Sequence, residues 1–244
     1  MNEFEDARIA VLNATGAIAR AIVAEFVERG AQVVAIDTDI ELTKHGEALK
    51  ALRPGRVSLV PALPDAVQQM NTCESAIGPI GVLVCAAPPV GKVKVLDMTG
   101  EELRRIVEAE LCVPALIMQE AGRRMASRCS GRIISLFSMS AKTGVHTKVA
   151  PFAAAKGGML AYSRVMAAEL ASSGVTVNSI ATSLFEPQVE ILEREERESL
   201  SKAIPVQRFG KVTEAAHAVL YLASAQAAFM TGETLNLSGG KFMD

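Results

Sequence analysis

Seven short apolar runs recur along the 244 residues, with helical-period segments between them. Strands buried on both faces read as continuous Val-, Ile- and Leu-rich runs. The alternation therefore predicts an α/β fold, a doubly wound parallel sheet with helices on both sides. The runs are 8–13, 31–37, 56–63, 80–87, 131–138, 175–182 and 233–240. After the first, Ile18, Ile22, Val23, Phe26 and Val27 fall at helical spacing and Gly30 follows as a C-terminal cap. A helix is predicted over about 64–77. Thr99 and Glu102 form a capping box for a long helix over 101–127, bent at Pro114. Further helices are read at 152–171 and 213–224. Residues 183–204 loosen into a charged, helix-prone insertion, whose run from Glu193 to Glu198 reads as a solvated face. No repeat or linker divides the chain, so 1–244 reads as a single domain.

Charge and composition narrow the function. Half the residues are apolar and the formal net charge is -2, so no nucleic-acid partner is expected. No apolar run reaches the roughly 18 residues of a membrane span, and the acidic start MNEFEDARIAVLNATG has no signal-peptide pattern. Cys73, Cys85, Cys112 and Cys129 lack a C-x-x-C pair, which fits a reducing, cytoplasmic location. His45 and His217 share no metal-like spacing, and no metal is expected.

The stretch that bears on chemistry is SMSAKTGVHTKVAPFAAAK, Ser138 to Lys156. Its frame is a serine, about a dozen residues, then X-x-x-x-Lys opening a small-residue helix. A proton-transfer site needs a tyrosine at X, because a lysine ammonium lowers the phenol's pKa. Here X is Phe152, which has no ionisable hydrogen.

Over nearly its full length the chain resembles the short-chain dehydrogenase/reductase family. The resemblance is carried by GPIGVLV, GRIISLFSMSA, AAAKGGMLAYSRVMAAELASSGVTVNSIA and RFGKVTEAAHAVLYLASAQAAFMTGETLNLSGG in that order. It implies a Rossmann-like sheet, NAD(P)-dependent redox chemistry and usually a tetramer, and it locates positions that have changed here. The family's phosphate turn, T-G-x-x-x-G-x-G, falls on Leu12, Asn13, Ala17 and Ala19. Asn13 tolerates a left-handed turn, whereas the methyls of Ala17 and Ala19 stand where cofactor and strand approach the glycines. A register that uses Gly16 as the turn glycine is the alternative. Asp37 reads either as the acid that accepts from the adenosine ribose or as a solvated strand-end acid. The adenine-side Asp becomes Ala62, Asn-Asn-Ala-Gly becomes Cys85-Ala86-Ala87-Pro88, and Pro-Gly beside the nicotinamide becomes Thr182-Ser183.

In the active centre, the relay Asn becomes Glu110 and the Tyr becomes Phe152, while Ser138 and Lys156 remain. Ser138 reads as a substrate donor or a locally satisfied hydroxyl, and Lys156 as a ribose ligand or a helix-start cation. Glu110 is expected to be partly buried, with a raised pKa or a cation beside it. His146 reads as a substitute base or a solvated loop residue.

The small residues Ala154, Gly157, Gly158, Ala161, Val165 and Ala168 give the 152–171 helix a flat face. In the family this helix and the one from Glu101 form the main subunit contact. The combination is similar to the inactive subunits of heteromeric dehydrogenases of anaerobic toluene breakdown. It implies a non-catalytic chain without its own cofactor, in an α2β2 tetramer with an active homologue that binds NAD and oxidises a 3-hydroxyacyl-CoA-type substrate. Two alternatives stay open: a small-molecule sensor using the vacated pocket, and an active oxidoreductase using Glu110, His146 or Lys156.

Overall fold

The computed structural model describes residues 3–88, 91–144 and 146–243. Its strands are β1 (Arg8–Leu12), β2 (Gln32–Asp37), β3 (Val57–Pro61), β4 (Val82–Cys85), β5 (Gly131–Ser138), β6 (Val175–Thr182) and β7 (Thr234–Leu237). All pair in parallel, in the order β3-β2-β1-β4-β5-β6-β7. The order reverses between β1 and β4, where open α/β sheets bind ligands beyond the strand ends. Leu12 pairs with Cys85 at that point.

Successive strand side chains face opposite ways, so the sheet has two cores. Ile9 and Val11 enter one with Ile22, Phe26 and Val219; Ala10 and Leu12 enter the other with Met70, Ile117 and Met159. Helices α1 (Ala17–Glu28), α2 (Asp39–Ala51) and α10 (Val212–Ala223) cover the first face. Helices α3 (Ala66–Ile77), α5 (Val113–Ser127) and α7 (Ala150–Leu170) cover the second. Fully buried Phe26 contributes about 1.5–3 kcal/mol through burial. Helix α2 has no counterpart in the sequence-based expectation; its cap is Thr38, which accepts from Glu41 N at 3.3 Å.

The expected long helix is in three parts. Helix α4 (Gly100–Val107) leads into a π-helical turn, Glu108–Cys112, and then α5. The irregularity therefore lies just before Pro114. A proline has no N–H for the carbonyl four residues back, and its ring crowds that carbonyl, so the backbone widens around Glu110. Thr99 caps α4 by accepting from Glu102 N at 3.1 Å, without the reciprocal half of a capping box.

Helix α6 (Ser140–Thr143) links β5 to α7. The charged insertion folds as α8 (Glu186–Val189) and α9 (Arg194–Lys202), and α9 buries no residue. It closes over a small core of Val189, Ile204 and Phe209. Among the described residues no helix is long and apolar enough to cross a membrane.

Candidate functional site

The turn after β1 passes through Asn13 at φ +56°, the left-handed conformation its side chain tolerates. Gly16 is extended (φ -61°, ψ 152°) and needs no glycine for its backbone, so the special conformation belongs to Asn13. Asn13 Nδ2 donates to Ala86 O at 2.7 Å across the β1–β4 crevice. Ala14 N donates to Ile36 O at 3.1 Å, which draws the turn toward β2.

Asp37 completes that attachment. Its Oδ2 accepts from Thr15 N at 3.0 Å and Thr15 Oγ1 at 2.7 Å, and its Oδ1 accepts from Thr38 N at 2.9 Å. The residue is 7% exposed, so it is not a solvated acid. Of about four lone-pair sites on a carboxylate, three are engaged within the chain. Ala19 is buried in the core on the α1 face of the sheet. No side chain caps α1, and a Cβ on Gly16 would meet nothing nearer than Asn13 O at 3.9 Å. The head of α1 is thus the open part of the turn. Ala62 is exposed and contributes only its N–H, to Asp37 O at 2.8 Å.

Around the Ser138 frame the polar groups fall into two clusters. In the first, Ser138 Oγ lies 2.9 Å from Ser140 Oγ, which lies 3.1 Å from His146 Nδ1. Ser138 Oγ also accepts from Ser140 N at 3.2 Å. The imidazole is exposed at one edge and sits 6.0 Å from the Phe242 ring. Partial burial, and then the charge of Lys241, hold its pKa below the usual value.

The second cluster joins Glu110, Phe152 and Lys156. Lys156 Nζ lies 3.0 Å from Glu110 Oε2, donates to Glu110 O at 3.1 Å, and sits 5.7 Å from the Phe152 ring centroid. Pro114 explains the second bond, because it cannot supply the N–H that Glu110 O would receive in an α-helix. Lys156 is 5% and Phe152 4% exposed, so the lysine is a buried, paired cation rather than a helix-start charge. Burial pushes the Cys85 thiol up to about 12, against the opposing effect of Lys156. Thr182 Oγ1 donates to Phe137 O at 3.1 Å.

In dinucleotide folds an acid at the end of β2 accepts from the ribose of NAD, and the family resemblance assigns the frame's lysine to the ribose as well. Asp37 already accepts three hydrogen bonds inside the chain and Lys156 is paired with Glu110, so neither stands free for a ribose. Thr15 and Ser140, which complete these contacts, were not singled out by sequence. Each lies within two positions of a residue that was.

Two cavities lie at the insertion. One of about 550 Å³ is lined by Glu186, Arg194, Arg197, Arg208 and Phe209. One of about 160 Å³ is lined by Phe185, Ile204, Leu237 and Gly239. Among the described residues no three His, Cys, Asp or Glu side chains gather as a metal would need.

The outer surface beside the second cluster sets exposed apolar side chains among the charges of Glu101, Arg104, Arg105 and Glu108. Neither α4 nor the π turn contains a buried residue, and Leu103, Leu116 and Val165 are 37%, 48% and 60% exposed. Ala154, Ala161 and Ala168 are exposed beside them on α7. Gly157 and Gly158 do not belong to that face. A Cβ on Gly158 would meet Leu111 Cδ2 at 3.1 Å and one on Gly157 would meet Ala141 O at 3.4 Å, both within the chain.

Comparison with known proteins places these features. A family model described as enoyl-(acyl carrier protein) reductase matches residues 13–241. A 3-oxoacyl-[acyl-carrier-protein] reductase of Salmonella typhimurium is 31% identical over 98% of this chain and 99% of its own. Nodulation protein G of Rhizobium meliloti is 32% identical over all of both chains. Among solved structures, an apo short chain oxidoreductase of Pseudomonas aeruginosa, described as containing an atypical catalytic center, superposes with a TM-score of 0.88. It is 28% identical over 99% of both chains. The NADPH-bound form superposes at 0.86.

Proposed function

The chain belongs to the short-chain dehydrogenase/reductase family of oxidoreductases, and we propose that within it this is a non-catalytic subunit that assembles with an active homologue. One observation carries the proposal: Lys156, the frame's lysine, is ion-paired with Glu110 and covered by Phe152. A site of this kind moves a proton through a tyrosine whose pKa an available ammonium depresses. Here the phenol is absent and the ammonium is neutralised.

The proposal extends to the cofactor and the partner. Asp37 is held by Thr15 and Thr38, so this chain carries no dinucleotide of its own, and NAD belongs to the active subunit. The exposed apolar residues of α4, α5 and α7 form the surface for that subunit in an α2β2 tetramer. The reaction proposed for the assembly is oxidation of a 3-hydroxyacyl-CoA-type substrate. 2-[Hydroxy(phenyl)methyl]succinyl-CoA, in benzylsuccinate β-oxidation, is the substrate to test first. The relatives named as 3-oxoacyl-[acyl-carrier-protein] reductases are named for chemistry at the same carbon of an acyl chain.

Co-expression with an intact homologue encoded beside the gene tests this. The expected result is a mixed oligomer by native mass spectrometry, with dehydrogenase activity that survives Ser138→Ala here and is abolished by the equivalent change in the partner. Activity lost through Ser138→Ala in an intact oligomer would reject the proposal.

A second reading is favoured by the Ser138–Ser140–His146 chain, which links a solvent-facing imidazole to the serine of the frame. On it, the protein is an oxidoreductase with an unusual proton path; the similar Pseudomonas oxidoreductase is described as containing an atypical catalytic center. Reductase activity of the isolated chain that disappears in His146→Ala would establish it.

A further inference from the structure

We infer that Glu110 and Lys156, at two positions where relatives keep catalytic groups, form an internal clamp that fixes the shape of the α4–α7 surface offered to a partner. The inference deepens the proposed function and rests on it in one respect, that this surface meets another chain.

Helix α4 has little of its own to hold it, since it and the π turn after it bury no residue. What fixes the segment is a strip along α7. Lys156 donates to the Glu110 carbonyl at 3.1 Å and forms an ion pair with its carboxylate at 3.0 Å. Gly158 leaves room for the Leu111 side chain, and Tyr162 OH donates to Ala115 O at 3.2 Å. Thus α7 residues 156, 158 and 162 meet junction residues 110, 111 and 115 in matching order, which sets one register between the helices. A π turn leaves backbone carbonyls poorly served, and Pro114 removes a further donor. Lys156 supplies the donor that the helix lacks.

The polar form of this contact indicates what it is for. A buried ion pair is weak evidence of stability, because an apolar pair of similar volume often does as well. What the contact adds is direction: the hydrogen bond from the ammonium to the Glu110 carbonyl fixes one arrangement of the two helices, with the carboxylate 3.0 Å away to hold the cation, whereas apolar side chains slide. The exposed Leu103, Leu116 and Val165 lie on the elements so held, and a complementary partner requires them in constant relative positions.

The test uses the full chain with an intact homologue that retains the glycine-rich turn and the Tyr-x-x-x-Lys frame. The double variant Glu110→Leu with Lys156→Met removes the directional contact and strands no buried charge. It is expected to fold, to lose at least tenfold in affinity for the homologue, and to show at least tenfold faster amide exchange over 100–112 with β5 and β6 unchanged. A core control, Ile22→Val, should change neither local exchange nor affinity. Wild-type exchange over 100–112 in the folded double variant overturns the clamp, as does wild-type affinity. If the unaltered chain binds no homologue, the proposed function fails, and the exchange measurement alone decides whether the clamp exists.

Discussion

Replacing Phe152 by tyrosine returns the group that the frame lacks, and the surroundings of Lys156 determine how it would behave. A lone ammonium about 4 Å from a phenol oxygen, at an effective dielectric of about 20, favours the phenolate by about 4 kcal/mol. At about 1.36 kcal/mol per pKa unit, that brings a tyrosine from about 10 to about 7. Here Glu110 Oε2 lies 3.0 Å from the ammonium, with side chains only 6% and 12% exposed. A carboxylate about 6 Å from the phenol oxygen returns about 2.8 kcal/mol, which leaves a drop of about one unit. Burial of the ring opposes even that. Phenolate absorbance should therefore show the new group titrating at about 9 or above, over a background of Tyr162 and Tyr221. Dehydrogenase activity should rise less than tenfold, against the roughly 10²- to 10⁴-fold that a working acid/base supplies. Adding Glu110→Asn removes the opposing charge and should lower the phenol by about two further units. A phenol near 7 in the single variant, or a hundredfold gain in rate, would refute the claim that Glu110 disarms Lys156.

Three other outcomes follow from the same contacts. Asp37→Ala strands the buried Thr15 N–H and should cost about 3 kcal/mol, a fall in Tm of about 6–12 °C for a domain this size; an unchanged Tm would mean the carboxylate holds nothing. Hydrogen bonds from Arg208, then from Lys211 N, lower the Glu214 carboxyl from 4.5 to about 2. A depressed carboxyl stabilises fully above its unfolded pKa and loses that contribution as pH falls through the folded one. The urea-midpoint gap between wild type and Glu214→Gln should accordingly shrink from about pH 4.5 down to about pH 2, and a constant gap would contradict the pairing. Iodoacetamide should label exposed Cys129 before Cys85, whose buried thiol is held at about 12; peptide mass spectrometry reads the order, and early labelling of Cys85 would count against the structure.

The sheet was legible because its strands are buried on both faces and therefore read as plain apolar runs. β5 and β6 begin and end where the sequence places them. Helix α2 escaped because its apolar periodicity is weak, with only Gly46 and Leu49 buried, although Thr38 followed by Glu41 was a usable start signal. In the site, sequence named the positions that matter but not what they touch. Glu110 and Lys156 are 46 residues apart, and only the packing of α7 on the π turn brings them together. The four-residue spacing from Glu110 to Pro114 was visible and marks a carbonyl in need of a donor. Which cation would supply it was not. That Asp37 is buried rather than solvated was hidden for a similar reason, since its partner Thr15 lies on a neighbouring turn that passes through Asn13 in a left-handed backbone.

The most direct measurement is calorimetric titration of NAD and NADH into the isolated chain and into its complex with the intact homologue. No heat of binding is expected from the chain alone at millimolar cofactor, and two cofactors are expected per four-chain assembly. Micromolar binding with one cofactor per isolated chain would contradict the conclusion that Asp37 and Lys156 are committed to the protein's own interior.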